Sequence, residues 1–189
     1  MRISRKNRRE SGTAALEFAL VAMPIIFTLI GVVVVGINLG RSIQVGQICR
    51  DADSMYVRGV DFSQTSSQNL LVKLAGGLNI TDAGGNGVII FSEFDGTGAN
   101  TAVCSRRIVV GNASLRSSSY ANPSAAVLDQ GGNVTNLNDP SAQVNASFMS
   151  LLPMTQGQVA YLVETYFSTS QYDWTGFLSG TGIYAKAIF

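Results

Sequence analysis

The sequence predicts an α+β protein: a long N-terminal helix that spans a membrane, then a small domain beyond it containing an antiparallel sheet. Three observations predict this. Phe18 to Leu39 are 22 positions without a charge, and five basic residues lie among the first 12. From Ile43 to Tyr56, apolar residues recur at helical spacing among polar ones. Beyond Gly59, runs of β-branched and aromatic residues are separated by Gly-, Asn- and Ser-rich stretches, as short strands are by turns.

The basic tip consists of Arg2, Arg5, Lys6, Arg8 and Arg9. Basic residues before an apolar run set membrane orientation, so the tip stays cytoplasmic and the body faces out. As a helix, the 22 uncharged residues reach roughly 33 Å, enough for a hydrocarbon core of about 30 Å. A secretory signal peptide would want a shorter core and an Ala-x-Ala-like site, and no such site follows. Gly31, Gly36 and Gly40 are tolerable in a membrane helix, and Gly36 with Gly40 has the small-xxx-small spacing of close helix packing. Pro24 removes one backbone hydrogen bond and predicts a kink. Ile43, Val45, Ile48, Ala52, Met55 and Tyr56 recur among Arg41, Gln44, Gln47, Arg50, Asp51 and Asp53. One helix is therefore expected over 13–58, membrane-spanning over about 18–39 and amphipathic after it.

One carboxylate, Glu17, stands at the front of the apolar run. A charge there is costly and usually has a job and a partner. The basic leader ending in Gly12, then Thr13-Ala14-Ala15-Leu16-Glu17-Phe18-Ala19-Leu20 and Pro24, resembles the N-terminus of class III prepilins. The likeness is closest to TadE-like proteins of the Tad (tight adherence, Flp) type IV pilus system, and covers about 30 residues. It implies a pilin-like fold and cleavage by a prepilin peptidase between Gly12 and Thr13. Residues 1–12 would be the leader, with Glu17 the fifth residue of the processed chain and Phe18 the sixth. Gly12 permits the close backbone approach a peptidase needs. The new ammonium of Thr13 would meet Glu17 of a neighbouring subunit, offsetting the cost of the charge and setting the register between subunits.

Residues 59–189 read as one exported domain. Ser66–Leu78 is expected to be an amphipathic helix with Leu70, Leu71, Leu74 and Leu78 on one face, ended by Gly76-Gly77. Val88–Phe94 and Ala102–Gly111 read as strands joined across an Asp95–Gly98 loop, a hairpin in outline. Arg106 and Arg107 suit an exposed face or an edge. Residues 112–149, poor in large apolar groups, are expected to be a long loop. Val159–Phe167 is the clearest strand, with Glu164 placed at an edge or toward solvent, and Ile183–Phe189 is a candidate last strand. Tyr172, Trp174 and Phe177 form an aromatic cluster that reads as local core.

Composition narrows the chemistry. Charged residues are 13%, about half the usual share. The first 12 residues carry a net +4 and the remainder a net −3, so the body has no basic patch for nucleic acid. There is no histidine, which removes the usual general base and disfavours a zinc site. No phosphate-loop glycine motif occurs. Catalytic, cofactor and metal sites are therefore not expected, nor is a small-molecule substrate. Asn79, Asn112, Asn133 and Asn145 each begin an Asn-x-Ser/Thr triplet, attributed to chance in a chain rich in these residues. Cys49 and Cys104 stand either as a disulfide in an oxidising compartment or as two buried thiols.

The reading is a single-pass membrane protein with a cytoplasmic N-terminus and an extracytoplasmic body, and the resemblance implies a structural role in the bacterial inner membrane. The resemblance implies a minor pilin or pseudopilin whose partners are a prepilin peptidase, other pilins or pseudopilins and the inner-membrane assembly platform, with incorporation into a surface pilus. The rivals are an unprocessed single-pass protein with an extracytoplasmic binding domain, and a secreted enzyme or adhesin with an atypical signal peptide.

Overall fold

Helix α1 runs from Lys6 to Val57 without interruption, in a computed structural model that describes residues 6–81, 84–169 and 182–189. After it come α2 (Thr65–Leu74), β1 (Gly87–Gly98), β2 (Thr101–Gly111), α3 (Ala146–Leu151), β3 (Val159–Phe167) and β4 (Ile183–Ile188). Arg2, Arg5 and the Tyr172, Trp174, Phe177 cluster lie outside the described residues. The chain divides into two units, Met1–Arg41 and Ser42–Phe189.

In the first unit every described residue is helical, and none from Gly12 to Arg41 is buried. Leu16, Phe18 and Leu20 are each more than 70% exposed. Over this stretch α1 exposes an apolar surface on all sides. Among the described residues it is the one helix long and apolar enough to cross a membrane. It begins earlier than expected, at Lys6 rather than Thr13, because Lys6-Asn7-Arg8-Arg9-Glu10 is mostly good helix-forming sequence with no breaker. Gly12 therefore lies within the helix. The helix also continues through Pro24, whose carbonyl accepts a 2.7 Å bond from the Thr28 hydroxyl.

The second unit begins at Ser42 and so includes the amphipathic half of α1. Val45, Ile48, Cys49, Ala52 and Tyr56 are buried in one cluster with Phe62, Leu71, Ile89, Phe91, Val163 and Phe167. Each large side chain so buried contributes roughly 1.5–3 kcal/mol. The helix ends where Gly59 turns to φ +87°. There the Gly59 N–H bonds the Tyr56 carbonyl at 2.9 Å and the Val60 N–H bonds Met55 at 3.1 Å, a Schellman stop.

The sheet is antiparallel throughout, in the order β2-β1-β3-β4. β1 and β2 form the expected hairpin, longer than anticipated: pairing runs on to Gly98 and Thr101 around Ala99-Asn100. Asn100 takes the positive φ of 55° that this short turn requires. α1 and the segment Phe62–Ile80 cover one face. Residues 112–154 cover the other, where Tyr120, Phe148, Met149 and Met154 pack on Phe94, Cys104 and Leu162.

Several expectations are corrected. The α2 helix stops at Leu74, and only Leu71 of its leucines is buried, with Leu70 and Leu74 each 53% exposed. Residues 112–149 form an ordered layer with two single-turn 3-10 helices and α3. Its Asn and Asp residues supply the order. Asp129 accepts from the backbone of Gly131 and Asn133 at 2.9 and 2.7 Å, and Asn145 caps α3 through Phe148 N–H at 3.1 Å. All four Asn-x-Ser/Thr triplets have such an Asn: Asn79 accepts from Thr81, Asn112 from Ser114, and Asn133 donates to Asp129. Local turn and cap chemistry accounts for the triplets.

Arg106 and Arg107 lie on an edge strand as expected, but as clamps rather than as exposed charges. Arg106 pairs with Asp61 at 2.6 Å on one side and donates to the Gly131 carbonyl at 3.2 Å. Arg107 is 7% exposed and donates to the Ala121 carbonyl. The cysteines are two separate buried thiols. Cys49 sits in the cluster on the α1 face and Cys104 in the cluster on the opposite face. They lie in different clusters on opposite faces of the sheet, and no bridge joins them. Burial pushes the Cys49 thiol up to about 11.

Thiol titration of the unreduced protein is therefore expected to find no reactive cysteine while folded and both cysteines on denaturation; a disulfide in the intact mass would contradict the two-faced core. Partial burial opposes ionisation of Asp61, but the bonds from Ser63 and the Arg106 guanidinium outweigh it and hold this carboxyl below its ordinary value. The ion pair's stabilisation is thus complete above the unfolded carboxylate value, about 3.9, and is lost as pH falls through the lower folded value. Arg106→Gln should be less thermally stable than the parent at neutral pH, with the gap narrowing as pH falls below about 4.

Candidate functional site

The N-terminal candidates are set out along one helix. Thr13 and Glu17 stand one turn apart and line a shallow surface hollow with Leu16, Leu20 and Val21. The (i, i+4) spacing puts Thr13 and Glu17 on one face. Phe18 is 75% exposed. A Cβ added at Gly12 meets nothing within 4 Å. These residues are thus displayed, with no fold to maintain around them, and α1 positions all of them.

A second constellation, which sequence reasoning missed, centres on Glu164. The residue is only 2% exposed. β3 is an interior strand, between β1 and β4, which corrects the expectation of an edge or solvent-facing position. Its carboxylate accepts from Tyr184 Oη at 2.6 Å and from the Ser119 N–H at 3.1 Å, both on Oε1, and from the Ser118 hydroxyl on Oε2. Ser118 and Ser119 are further held by Asn122 and Asn145, which donate to their carbonyls at 2.8 and 2.7 Å. The Arg116 guanidinium lies 4.2 Å from the Tyr184 ring centre. Lys186, cross-strand partner of Glu164, donates to the Tyr120 hydroxyl. Burial raises the Tyr184 phenol above its ordinary value, and its bond to Glu164 raises it further.

This arrangement clamps residues 116–122 onto β3 and β4. Every donor to the Glu164 carboxylate is internal, so the carboxylate itself is buried and satisfied, while Arg116 Nε at its margin has no hydrogen-bond partner among the described residues. The one legible signal was Glu164 inside an otherwise apolar strand. Its partners, 46 and 20 residues away in sequence, follow no spacing rule.

A third carboxylate, Asp53, is 7% exposed, and its Oδ1 has no hydrogen-bond partner. Burial holds it above its ordinary value. It borders an open groove of about 390 Å³ with Arg50, Ser54, Val57, Arg58 and Phe189. Among the described residues no group of three or more Cys, Asp or Glu side chains is placed to hold a metal ion. No protein-family profile, curated protein or solved structure matches the chain.

Removing the charge at the centre of the clamp should weaken the body. Glu164→Gln is expected to cost about 2 kcal/mol, the range for hydrogen bonds to a charged group, lowering Tm by roughly 5 °C in a domain of this size. Tyr184→Phe, which deletes one donor, should cost about 1 kcal/mol. Thermal melts followed by circular dichroism check both; a Glu164→Gln protein as stable as the parent would contradict the clamp.

Proposed function

We propose that this chain is a structural component of a Tad-type pilus system, a minor pilin or pseudopilin. It is inserted in the inner membrane with the basic tip in the cytoplasm, processed after Gly12 and assembled through α1, and its body faces outward to serve pilus biogenesis, adhesion or secretion. The observation that carries this reading is the spacing of Gly12, Glu17 and Phe18 at the head of an uncharged run of 22 residues. A topology signal accounts for the basic residues alone, and an interfacial position accounts for a carboxylate alone. The joint spacing of glycine, acid and aromatic residue is what the prepilin resemblance explains.

Two features support it. None of the residues from Gly12 to Arg41 in α1 is buried, which suits coverage by lipid or by other helices. Thr13 and Glu17 share a helix face, which suits a register made by a new ammonium and a neighbour's carboxylate. The continuity of α1 through Gly12 from Lys6 favours the second reading, an unprocessed single-pass protein with an extracytoplasmic binding domain.

The test is the intact mass and N-terminal residue of the protein purified from native membranes. Processing predicts a chain beginning at Thr13. Gly12→Leu should then retain the leader, and since a side chain at Gly12 meets nothing in the fold, that block reports recognition by the peptidase rather than misfolding. A wild-type chain retaining residues 1–12 would overturn the pilin reading in favour of the unprocessed anchor.

A further inference from the structure

The two edges of the sheet are finished differently. At the β2 edge the chain covers itself. The Val134 N–H bonds the Ser105 carbonyl at 2.8 Å, the Arg107 N–H bonds Gly132 at 2.7 Å and the Val144 N–H bonds Ala102 at 3.1 Å. At the β4 edge no described residue does so. Phe189 and Tyr161 exchange two backbone bonds of 2.9 Å, which sets the phase of the ladder. Ala187, Ala185 and Ile183, opposite Val163, Thr165 and Phe167, then bond inward to β3. Ile188, Lys186 and Tyr184 turn their backbone N–H and C=O groups outward, where they meet no partner among the described residues. Such an edge is a template for another strand, and sheets guard it with proline or a projecting charge. β4 has no proline, and its one charge, Lys186, is turned to the Tyr120 hydroxyl.

The groove bordered by Asp53 lies at the end of this edge. Ala185 and Ala187 face the α1 side. Phe189, which follows them, is 74% exposed and lines the groove with Arg50, Ser54 and Arg58. Arg50 and Ser54 stand one turn apart on α1, with Arg58 a turn further. Both arginines are exposed. The one ion pair among the described residues joins Arg106 to Asp61, so neither guanidinium is neutralised there. Asp53 Oδ1 has no donor among the described residues. A strand laid on β4 would supply N–H and C=O groups to the edge and turn every second side chain to the α1 side. A carboxylate is the group that unpaired guanidiniums select there. A second copy does not supply it. Paired edge to edge about a two-fold axis, it would bring another Arg50 and Arg58 to the same groove, like charge against like.

We propose that the β4 edge, with Arg50 and Arg58, docks an extended segment of another protein, which adds to the sheet as a further strand and presents an acidic side chain to the arginines. The proposal concerns the second unit alone and holds with or without cleavage after Gly12.

The test uses the full chain in lipid nanodiscs. A displayed library of random short peptides is selected on it, and an enriched peptide is then synthesised for binding by fluorescence anisotropy. Its variants have the acids changed to amides, or the backbone nitrogens methylated at one or the other set of alternate residues. The selected peptides should be rich in acids. Changing those acids to amides, or making the Arg50→Gln/Arg58→Gln chain, should weaken binding about tenfold or more, the scale of hydrogen bonds to a charged group. Thermal melts of that double variant should match the parent, since neither arginine holds the fold. One methylated form should lose binding and the other keep it, because a strand bonds its neighbour through every second residue. Selected peptides without acids, equal binding to the double variant, or equal binding by both methylated forms would overturn the proposal. So would a library that yields no binder, and copies of the chain cross-linked through β4 would then assign the edge to a second copy.

Discussion

The structure depends on one constraint: a single helix is apolar on every side over its first half and amphipathic over its second. From Gly12 to Arg41 no side chain of α1 is buried, and the helix is long and apolar enough to cross a membrane. From Val45 to Tyr56 the same helix keeps five side chains almost fully out of solvent against a sheet. A helix is the one regular element that can serve both ends, because it meets its own backbone hydrogen bonds in hydrocarbon and in a protein core alike. The position of the change, around Ser42, decides where the body begins. It makes the second half of α1 a layer of that body and leaves the sheet with one face already covered.

The other face is closed differently. On the α1 side the contact is largely apolar and aromatic: Phe62 stacks on Phe91 with ring centres 4.3 Å apart, and Tyr56 meets Phe91 edge-on. The opposing layer, residues 112–154, has fewer large apolar groups and is held largely by polar bonds. Phe148, Met149 and Met154 supply a small core. Glu164, Arg107 and the turn-forming Asn and Asp residues supply the remainder. A buried carboxylate is tolerated only when its oxygens are hydrogen-bonded. That condition explains why Glu164 collects a hydroxyl, a phenol and a backbone N–H from two separate segments. The two arginines at the β2 edge join the layers, one reaching to each face of the sheet.

What the sequence showed, and what it hid, follows from the range of the interactions. The helix was legible because 3.6-residue periodicity and an uncharged run are local. The β1–β2 hairpin and β3 were legible from alternating β-branched and aromatic residues. Leu70 and Leu74 were misplaced because four leucines in thirteen residues fit a helical face on paper, while the helix ends at Leu74 and turns only Leu71 inward. The buried states of Glu164 and Arg107 were not legible. Burial of a charge is decided by partners distant in sequence, and local pattern assigns charges to solvent by default. The same holds for Cys49 and Cys104, whose separation depends on which face of the sheet each occupies. At the N-terminal site, Gly12, Glu17 and Phe18 were legible as a spacing, and the structure adds only that they are displayed on a helix.

The proposed role in a pilus system rests on the division of α1 into an apolar half and a half packed on the sheet. A spin label moved residue by residue from Leu16 to Arg58, in the full chain in a bilayer, tests that division most directly through its relative accessibility to oxygen and to a water-soluble relaxant. The account predicts oxygen-accessible, relaxant-shielded positions all around the helix through Leu39, then a helical period beyond Ser42 with minima in both accessibilities at 45, 48, 49, 52 and 56. Relaxant reaching the positions between Phe18 and Leu39, or one period running unchanged through both halves, would contradict it.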